Sequence, residues 1–382
     1  LAVLFYNPGG RMIEFFKTQH LIESMVSERI VPGVNYAFIK KKQVFTSTVG
    51  FASLMPEIEQ LSPFALYDLA SLTKVLGTTN VFLKLKEEGK LNFTEPLQEF
   101  IPEFKDDRIR LSHLLTHTSG IRGWIPNRDE LAAPDLLKAI ISLPVTDEFE
   151  TKMRYADTNF ILLGLVLEKI YGLPVQDVIM QEIILPAKLK ETTFHPKASD
   201  CVPTAYTEQG ELLQGIVHDP KARVLGKDCG SAGLFSNLED LIKMTQAYLG
   251  LRHDILALKQ DTLANLFQIE TPKNVHPRSW GWDLRFDPVD QHPLIYHTGF
   301  TGTFILIDRL NQTAMVVLTN RIHPSGHNHV FLAMREKIVD TFLKENIYKG
   351  YTLDETTNQY LMHPYWACRI EGEIKYDEPC YE

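Results

Sequence analysis

Apolar positions recur with helical spacing through residues 13–30, "IEFFKTQHLIESMVSERI", and the run stops at the turn signal Pro32-Gly33. Two strand-like runs follow, "VNYAFIKK" and "QVFTSTVGFA", and their lysine-rich junction Lys40-Lys41-Lys42 predicts the tip of a β-hairpin. The spacing is helical again from Ser71 to about Glu88 and ends at Gly89. Between about residues 90 and 285 the pattern is mostly helices and long loops, clearest in "LSHLLTHTSG", "TNFILLGLVLEKIYG", "LEDLIKMTQAYLG" and "DTLANLFQ". Strands return late. "TGTFILID" and "TAMVVLTN" flank Arg309-Leu310-Asn311-Gln312 as a second hairpin, and "VFLAMREKIVDTFLKEN" predicts a closing amphipathic helix.

Strands at both ends with helices between them predict an α/β chain of the α+β kind: one antiparallel sheet built from both chain ends, flanked by helices, with a mostly helical lobe inserted. The expected domain covers residues 12–348, with a sheet lobe at 12–70 and 286–348 and a helical lobe at 71–285. The junction of two such lobes is a natural place for a cleft. Residues 1–11 read as an extension or tag ahead of Met12, and residues 349–382 show no sustained period and stay unassigned.

With 382 residues, 44% of them hydrophobic, the chain is long enough to bury a large core. A net charge of −9, with no basic run longer than three lysines, argues against a nucleic-acid surface. Cys201, Cys229, Cys368 and Cys380 have no metal spacing and neither demand nor exclude a disulfide. No segment approaches the roughly 18 apolar residues of a membrane span, so no integral membrane segment is expected. The opening "LAVLFY" is too short for a signal core, so the sequence reads as cytoplasmic, or as extracytoplasmic if its N-terminus is truncated.

The stretch "DLASLTKVLGTT" places Ser71 three residues ahead of Lys74 where a helix begins. Serine is a favoured N-cap, so the pair alone has an ordinary structural explanation. It also has a chemical one. Residues i and i+3 share a helix face, which puts the Lys74 amine within reach of the Ser71 hydroxyl, and a neutral amine there would take the hydroxyl proton. Burial and the positive helix N-terminus are expected to favour that neutral form.

Two further motifs lie downstream. Tyr155-Ala156-Asp157 precedes a helix in "MRYADTNFILLG", and His297-Thr298-Gly299 stands before a strand in "YHTGFTGTFILID". The glycine lets backbone approach a ligand, and a following N–H can point at an oxyanion. In this order the three motifs resemble those of the penicillin-recognising serine enzymes. The resemblance is to the class C β-lactamase and DD-peptidase branch, covers about residues 20–345, and extends to "IVPGV", "LTHTSGI", "VHDPKARVLG", "GSAGLFSNLEDL" and "LTNRIHP".

The resemblance implies a β-lactamase/DD-peptidase-like fold and an acyl-enzyme mechanism. It makes Ser71 the nucleophile, Lys74 its proton acceptor, and Tyr155 the group that shuttles a proton to the leaving group and then activates water. Thr298 and Gly299 complete the third motif, and the N–H groups of Ser71 and Phe300 match the oxyanion hole. Two residues depart from the β-lactamase pattern. Asp157 replaces a common asparagine, and His297 replaces a lysine with a group mostly neutral near pH 7, so efficient β-lactamase activity is not expected.

The implied substrates are small molecules or peptidoglycan peptides carrying D-amino acids, with small esters as the alternative. A non-catalytic or slowly acylating penicillin-binding-like sensor is a further alternative, and the intact Ser-Lys-Tyr set argues against it. No metal or cofactor is implied. His113 and His117 have zinc-helix spacing but lack the glutamate of H-E-x-x-H and read as structural. His218 and Asp219 fit a loop anchor or a cleft wall equally, Trp280 and Trp282 read as core aromatics, and "GSAGLFSN" lacks the lysine of a phosphate loop.

Overall fold

The computed structural model of the protein describes residues 5–6, 15–324 and 328–346; the unassigned stretch 349–382 lies outside the described residues. The strands are β1 (Phe5–Tyr6), β2 (Gly33–Lys40), β3 (Gln43–Ser53), β4 (Glu59–Gln60), β5 (Tyr67–Asp68), β6 (Phe235–Ser236), β7 (Asp283–Phe286), β8 (Pro293–Thr298), β9 (Phe304–Asp308) and β10 (Thr313–Thr319). An eight-stranded sheet runs β1-β3-β2-β10-β9-β8-β7, with β4 added on β3, while β5 and β6 form a separate pair. Both expected hairpins are present: Lys40 pairs with Gln43 across the lysine tip, and Asp308 pairs with Thr313. The sheet is antiparallel except at one edge. There β1, inside the stretch read as an extension or tag, pairs in parallel with β3.

Early and late strands meet in the middle of this sheet, where β2 pairs with β10 from Val34 to Lys40. Alternation then assigns the faces. Val34, Tyr36 and Phe38 point with Met315 and Val317 toward α1 (Phe16–Ser27) and the closing helix, where Phe15, Ile22, Ile338 and Phe342 complete a core. Ala37 and Ile39 point with Ile305, Ile307 and Val316 to the opposite face, against the helical region.

That region holds α2 (Thr79–Glu87), α3 (Leu111–Leu115), α4 (Ala133–Ile141), α5 (Asp157–Tyr171), α6 (Val175–Ile179), α7 (Pro220–Leu225), α8 (Leu238–Tyr248) and α9 (Gln260–Ala264); the closing helix is α10 (His329–Glu345). Among the described residues, no single helix is long and apolar enough to cross a membrane.

Two expectations need correction. The stretch 71–88 is not one α-helix, because Lys74–Thr78 form a π-helical turn ahead of α2. His297-Thr298 also do not open a strand: they end β8, which the pattern reading missed, and the next strand starts only at Phe304. "PLIYHT" is buried from Pro293 to His297, so the polar–apolar alternation that reveals a half-exposed strand is absent. Likewise β7 falls in the stretch read as helices and loops.

Candidate active site

Ser71 stands at a bend between β5 and the π-turn. Ala70 just before it has φ +45°, a left-handed conformation unfavourable for alanine. Asp68 fastens the bend: its Oδ1 accepts the Ala70 N–H at 2.8 Å, and its Oδ2 accepts the His218 N–H at 2.7 Å. Past the bend, the Leu72, Thr73 and Lys74 amides donate to the carbonyls of Leu69, Ala70 and Ser71. The Ser71 hydroxyl faces the lysine one turn on, and Oγ accepts a hydrogen bond from Lys74 Nζ at 2.9 Å.

Lys74 is fully buried. Its ammonium also donates to Asp157 Oδ1 at 2.7 Å and to the Ser231 carbonyl at 2.9 Å. Ser231 comes this close because two glycines pack together behind it; a Cβ on Gly230 would fall 2.7 Å from the Phe160 carbonyl oxygen and 3.1 Å from the Gly164 Cα. The expected neutral amine is thereby corrected. Burial does lower its proton affinity, but the charge of Asp157, then Tyr155, and the hydrogen bonds to both outweigh burial and hold Lys74 above the usual lysine range. The protonated form of Lys74 is the favoured one.

Asp157 opens α5, where the helix N-terminus favours a carboxylate. Burial raises its proton affinity, yet the charges of Lys74 and Lys221 hold it well below the ordinary carboxylate range. Lys221 Nζ lies 2.9 Å from Asp157 Oδ2, so each oxygen of this carboxylate faces one ammonium. Asp157 is therefore a carboxylate engaged on both oxygens.

Tyr155 lies just ahead of α5, with Lys74 Nζ 5.2 Å from its ring centre. Its ring packs beside His117, at 4.5 Å between centroids, and His297, at 6.0 Å, with the Arg278 guanidinium 5.9 Å away. His297 is buried, and its Nδ1 sits 3.0 Å from the Thr298 carbonyl, which places the proton on Nδ1 and leaves Nε2 an acceptor. Burial, then the charges of Arg278 and Lys74, push its pKa well below the ordinary histidine value.

Gly299 brings the loop after β8 against the Ser71 segment, where a Cβ would fall 2.3 Å from Thr303 Oγ1 and 2.5 Å from the Leu69 carbonyl oxygen. Thr301 Oγ1 fastens the same contact by donating to the Asp68 carbonyl at 2.7 Å. The Phe300 ring stacks on His218 at 5.2 Å and lies 4.8 Å from the Arg321 guanidinium, whose Nε donates to the Phe300 carbonyl at 2.8 Å.

Ser71, Lys74, Tyr155, Asp157, His297, Thr298, Gly299 and Phe300 thus converge on one place, and the remaining candidates sort around them. His113 accepts the Arg110 N–H on Nδ1 and meets Glu150 through Nε2, whereas His117 accepts from Ala156 N and Asn159 Nδ2 behind Tyr155. The two imidazoles engage different partners. Asp219 caps α7 through Ala222 N, Trp280 packs on Phe93, and Trp282 is a buried residue whose ring meets both Tyr248 and His297.

Sequence reading missed Asp68, Lys221 and Arg278. Asp68 and Lys221 lie inside quoted motifs without a chemical pattern of their own, and Arg278 is a lone cation in an aromatic stretch.

Residues 18–336 match the family model described as Beta-lactamase. A Salmonella gallinarum protein named "Putative D-alanyl-D-alanine carboxypeptidase" is 27% identical, the match covering 82% of this chain and 86% of that protein. The Bacillus subtilis "N-acetylmuramyl-L-alanine amidase" is 28% identical over 77% of this chain and 75% of its own length. The crystal structure of a β-lactamase/D-alanine carboxypeptidase from Pseudomonas syringae superposes with a TM-score of 0.69 at 17% identity, covering 86% of this chain and 97% of that one. With the family model matched over most of its length, the chain belongs to the β-lactamase family of serine hydrolases and has the β-lactamase/DD-peptidase fold.

Proposed function

We propose that the protein hydrolyses D-amino-acid amide bonds of cell-wall type peptides through an acyl-enzyme on Ser71. The observation that carries this reading is the 2.9 Å hydrogen bond from Lys74 Nζ to Ser71 Oγ at a strained bend, beside Tyr155. Because the charges around Lys74 favour its protonated form, the base in this reading is the Tyr155 oxygen in its ionised form, which the neighbouring ammonium stabilises. Tyr155 takes the Ser71 proton as Oγ adds to the substrate carbonyl, and the N–H groups of Ser71 and Phe300 receive the oxyanion. The C–N bond then breaks as Tyr155 returns the proton to the leaving amine. Water, deprotonated by the same oxygen, releases the acid and restores Ser71.

The relative named as a D-alanyl-D-alanine carboxypeptidase supports a D-amino-acid substrate, while the amidase, named for a bond to L-alanine, supports cell-wall amides only in general. A second reading, a small-ester hydrolase, is favoured by the neutral, buried His297 in place of a cation that would grip a substrate carboxylate. The test is intact-mass spectrometry after fluorophosphonate treatment, with parallel turnover of a D-alanyl-D-alanine peptide and p-nitrophenyl acetate. One adduct mapped to Ser71 with faster peptide turnover is expected. An adduct on Ser71 with ester turnover alone selects the second reading, and a label on another serine with an active Ser71→Ala variant overturns both.

A further inference from the structure

Lys221 is a charged group at the site without a part in the steps above. Lys221, in the first turn of α7, places Nζ 2.9 Å from Asp157 Oδ2 and 3.5 Å from Asp219 Oδ2, with a side chain 16% exposed. Lys74 occupies the other oxygen of Asp157 at 2.7 Å. The two ammonium groups therefore share one carboxylate, and the trio Lys74, Asp157 and Lys221 carries a net charge of +1. Asp219 lies farther off and spends its Oδ1 on capping α7.

We propose that Lys221 is a positioning residue that keeps this trio positive toward Tyr155 and so sets the pH at which the base becomes available. The role rests on the acyl-enzyme reading. With Lys221 present, Asp157 divides its charge between two cations and cannot fully neutralise Lys74; without it, the whole carboxylate charge falls on Lys74 and the trio becomes a neutral pair. The other groups facing this cluster do not replace the lost charge. His117 and His297 are held neutral by burial and by the surrounding cations, and Arg278 is engaged with the Gly281 carbonyl and lies 3.6 Å from Asp283. Arg128 acts on Lys221 itself, and Asp219 is negative. The sign holds whichever of Lys74 and Tyr155 carries the titrating proton, because removing a positive neighbour raises the proton affinity of both.

The test is the rate of fluorophosphonate labelling of Ser71 between pH 5 and 10, read by intact mass, in the wild type, Lys221→Met, Lys221→Gln and Lys221→Arg. The rising limb should move up by about one pH unit in the Met and Gln variants while the plateau at high pH is kept. Lys221→Arg, which retains the charge, should follow the wild type. A limb unmoved in the Met and Gln variants, or moved equally in the Arg variant, overturns this role and leaves the hydrolase reading standing. A wild type whose Ser71 takes no label overturns the hydrolase reading and this role with it.

Discussion

The Lys74 ammonium and the Asp157 carboxylate meet at 2.7 Å, one on the π-turn after the bend and the other at the start of α5. A buried cation is stable only with such a partner. Asp157→Asn should therefore leave Lys74 facing Lys221 with no carboxylate between them, and the Lys74 proton should become easier to lose. The rising limb of Ser71 labelling is expected to move to lower pH, opposite in sign to the Lys221 variants. Unfolding stability should fall by about 2 kcal/mol or more. Urea melts and the pH–rate profile check both parts, and a limb that stays in place would show that Asp157 does not govern the base.

Tyr155 and Lys74 should behave as one unit. Tyr155→Phe, Lys74→Ala and the double variant are expected to lose kcat by similar factors, because either change removes the proton path that the other serves. Losses that multiply in the double variant would assign the two residues separate tasks.

Asp68 connects the bend before Ser71 to the His218 loop through two accepted amides and to the Phe300 loop through Thr301. Burial pushes its carboxyl up to about 6, against the two amide hydrogen bonds that pull it down. Asp68→Asn turns one acceptor into an NH₂ facing an N–H, at a cost of about 1–3 kcal/mol. The variant should lower kcat at least tenfold with little change in KM for a small ester, since the bend, not a substrate contact, is altered. The KM-against-kcat split is the measurement, and a change in KM alone would assign Asp68 to binding.

The contact between His297 and Trp282, at 6.3 Å, shows where sequence reading reached its limit. Both hairpins were legible from apolar runs on either side of a polar turn, although β2, β9 and β10 are buried almost throughout, and the terminal helices from their helical spacing. Strands β7 and β8 were not: β8 is as buried as β9 and β10, but "PLIYHT" holds an apolar run of only three residues. The motif residues were found because their spacing is itself chemical. Arg278 and Lys221 escaped because their roles arise only from folding: they reach Tyr155 and Asp157 from distant segments, and no local pattern records that. The charge of Lys74 was misread for the same reason, as its partner lies 83 residues away.

That limit changes an expectation about β-lactams. On sequence, replacing His297 with lysine restores a cation that would hold a β-lactam carboxylate. In the structure His297 is buried beside Tyr155 and Trp282, and the charges of Arg278 and Lys74 already disfavour protonating it. A lysine there would add an ammonium to a cationic pocket. His297→Lys should consequently lower stability by roughly 2 kcal/mol or more without raising nitrocefin hydrolysis relative to p-nitrophenyl acetate. A stable variant with a raised nitrocefin ratio would return substrate choice to this position.

Away from the site, His292 fixes the far end of β8 and gives stability a pH dependence of predictable sign. Its Nδ1 meets Asp290 at 2.5 Å and its Nε2 meets Asp308 at 2.9 Å. The fully buried Asp308 also accepts from Asn311 and from Asn346 at the end of α10. Burial pulls the His292 pKa down, but the two carboxylates outweigh it and raise the value to about 9. A histidine whose pKa is raised by folding stabilises fully below its unfolded value, near 6.5, and loses that contribution as pH rises through its folded value. The protein should therefore lose roughly 3 kcal/mol between pH 6.5 and pH 9.5 from this residue. His292→Gln should be less stable at pH 6.5 and should flatten the decline across that window, as measured by urea denaturation at each pH. A decline of equal steepness in the variant would place the titrating group elsewhere.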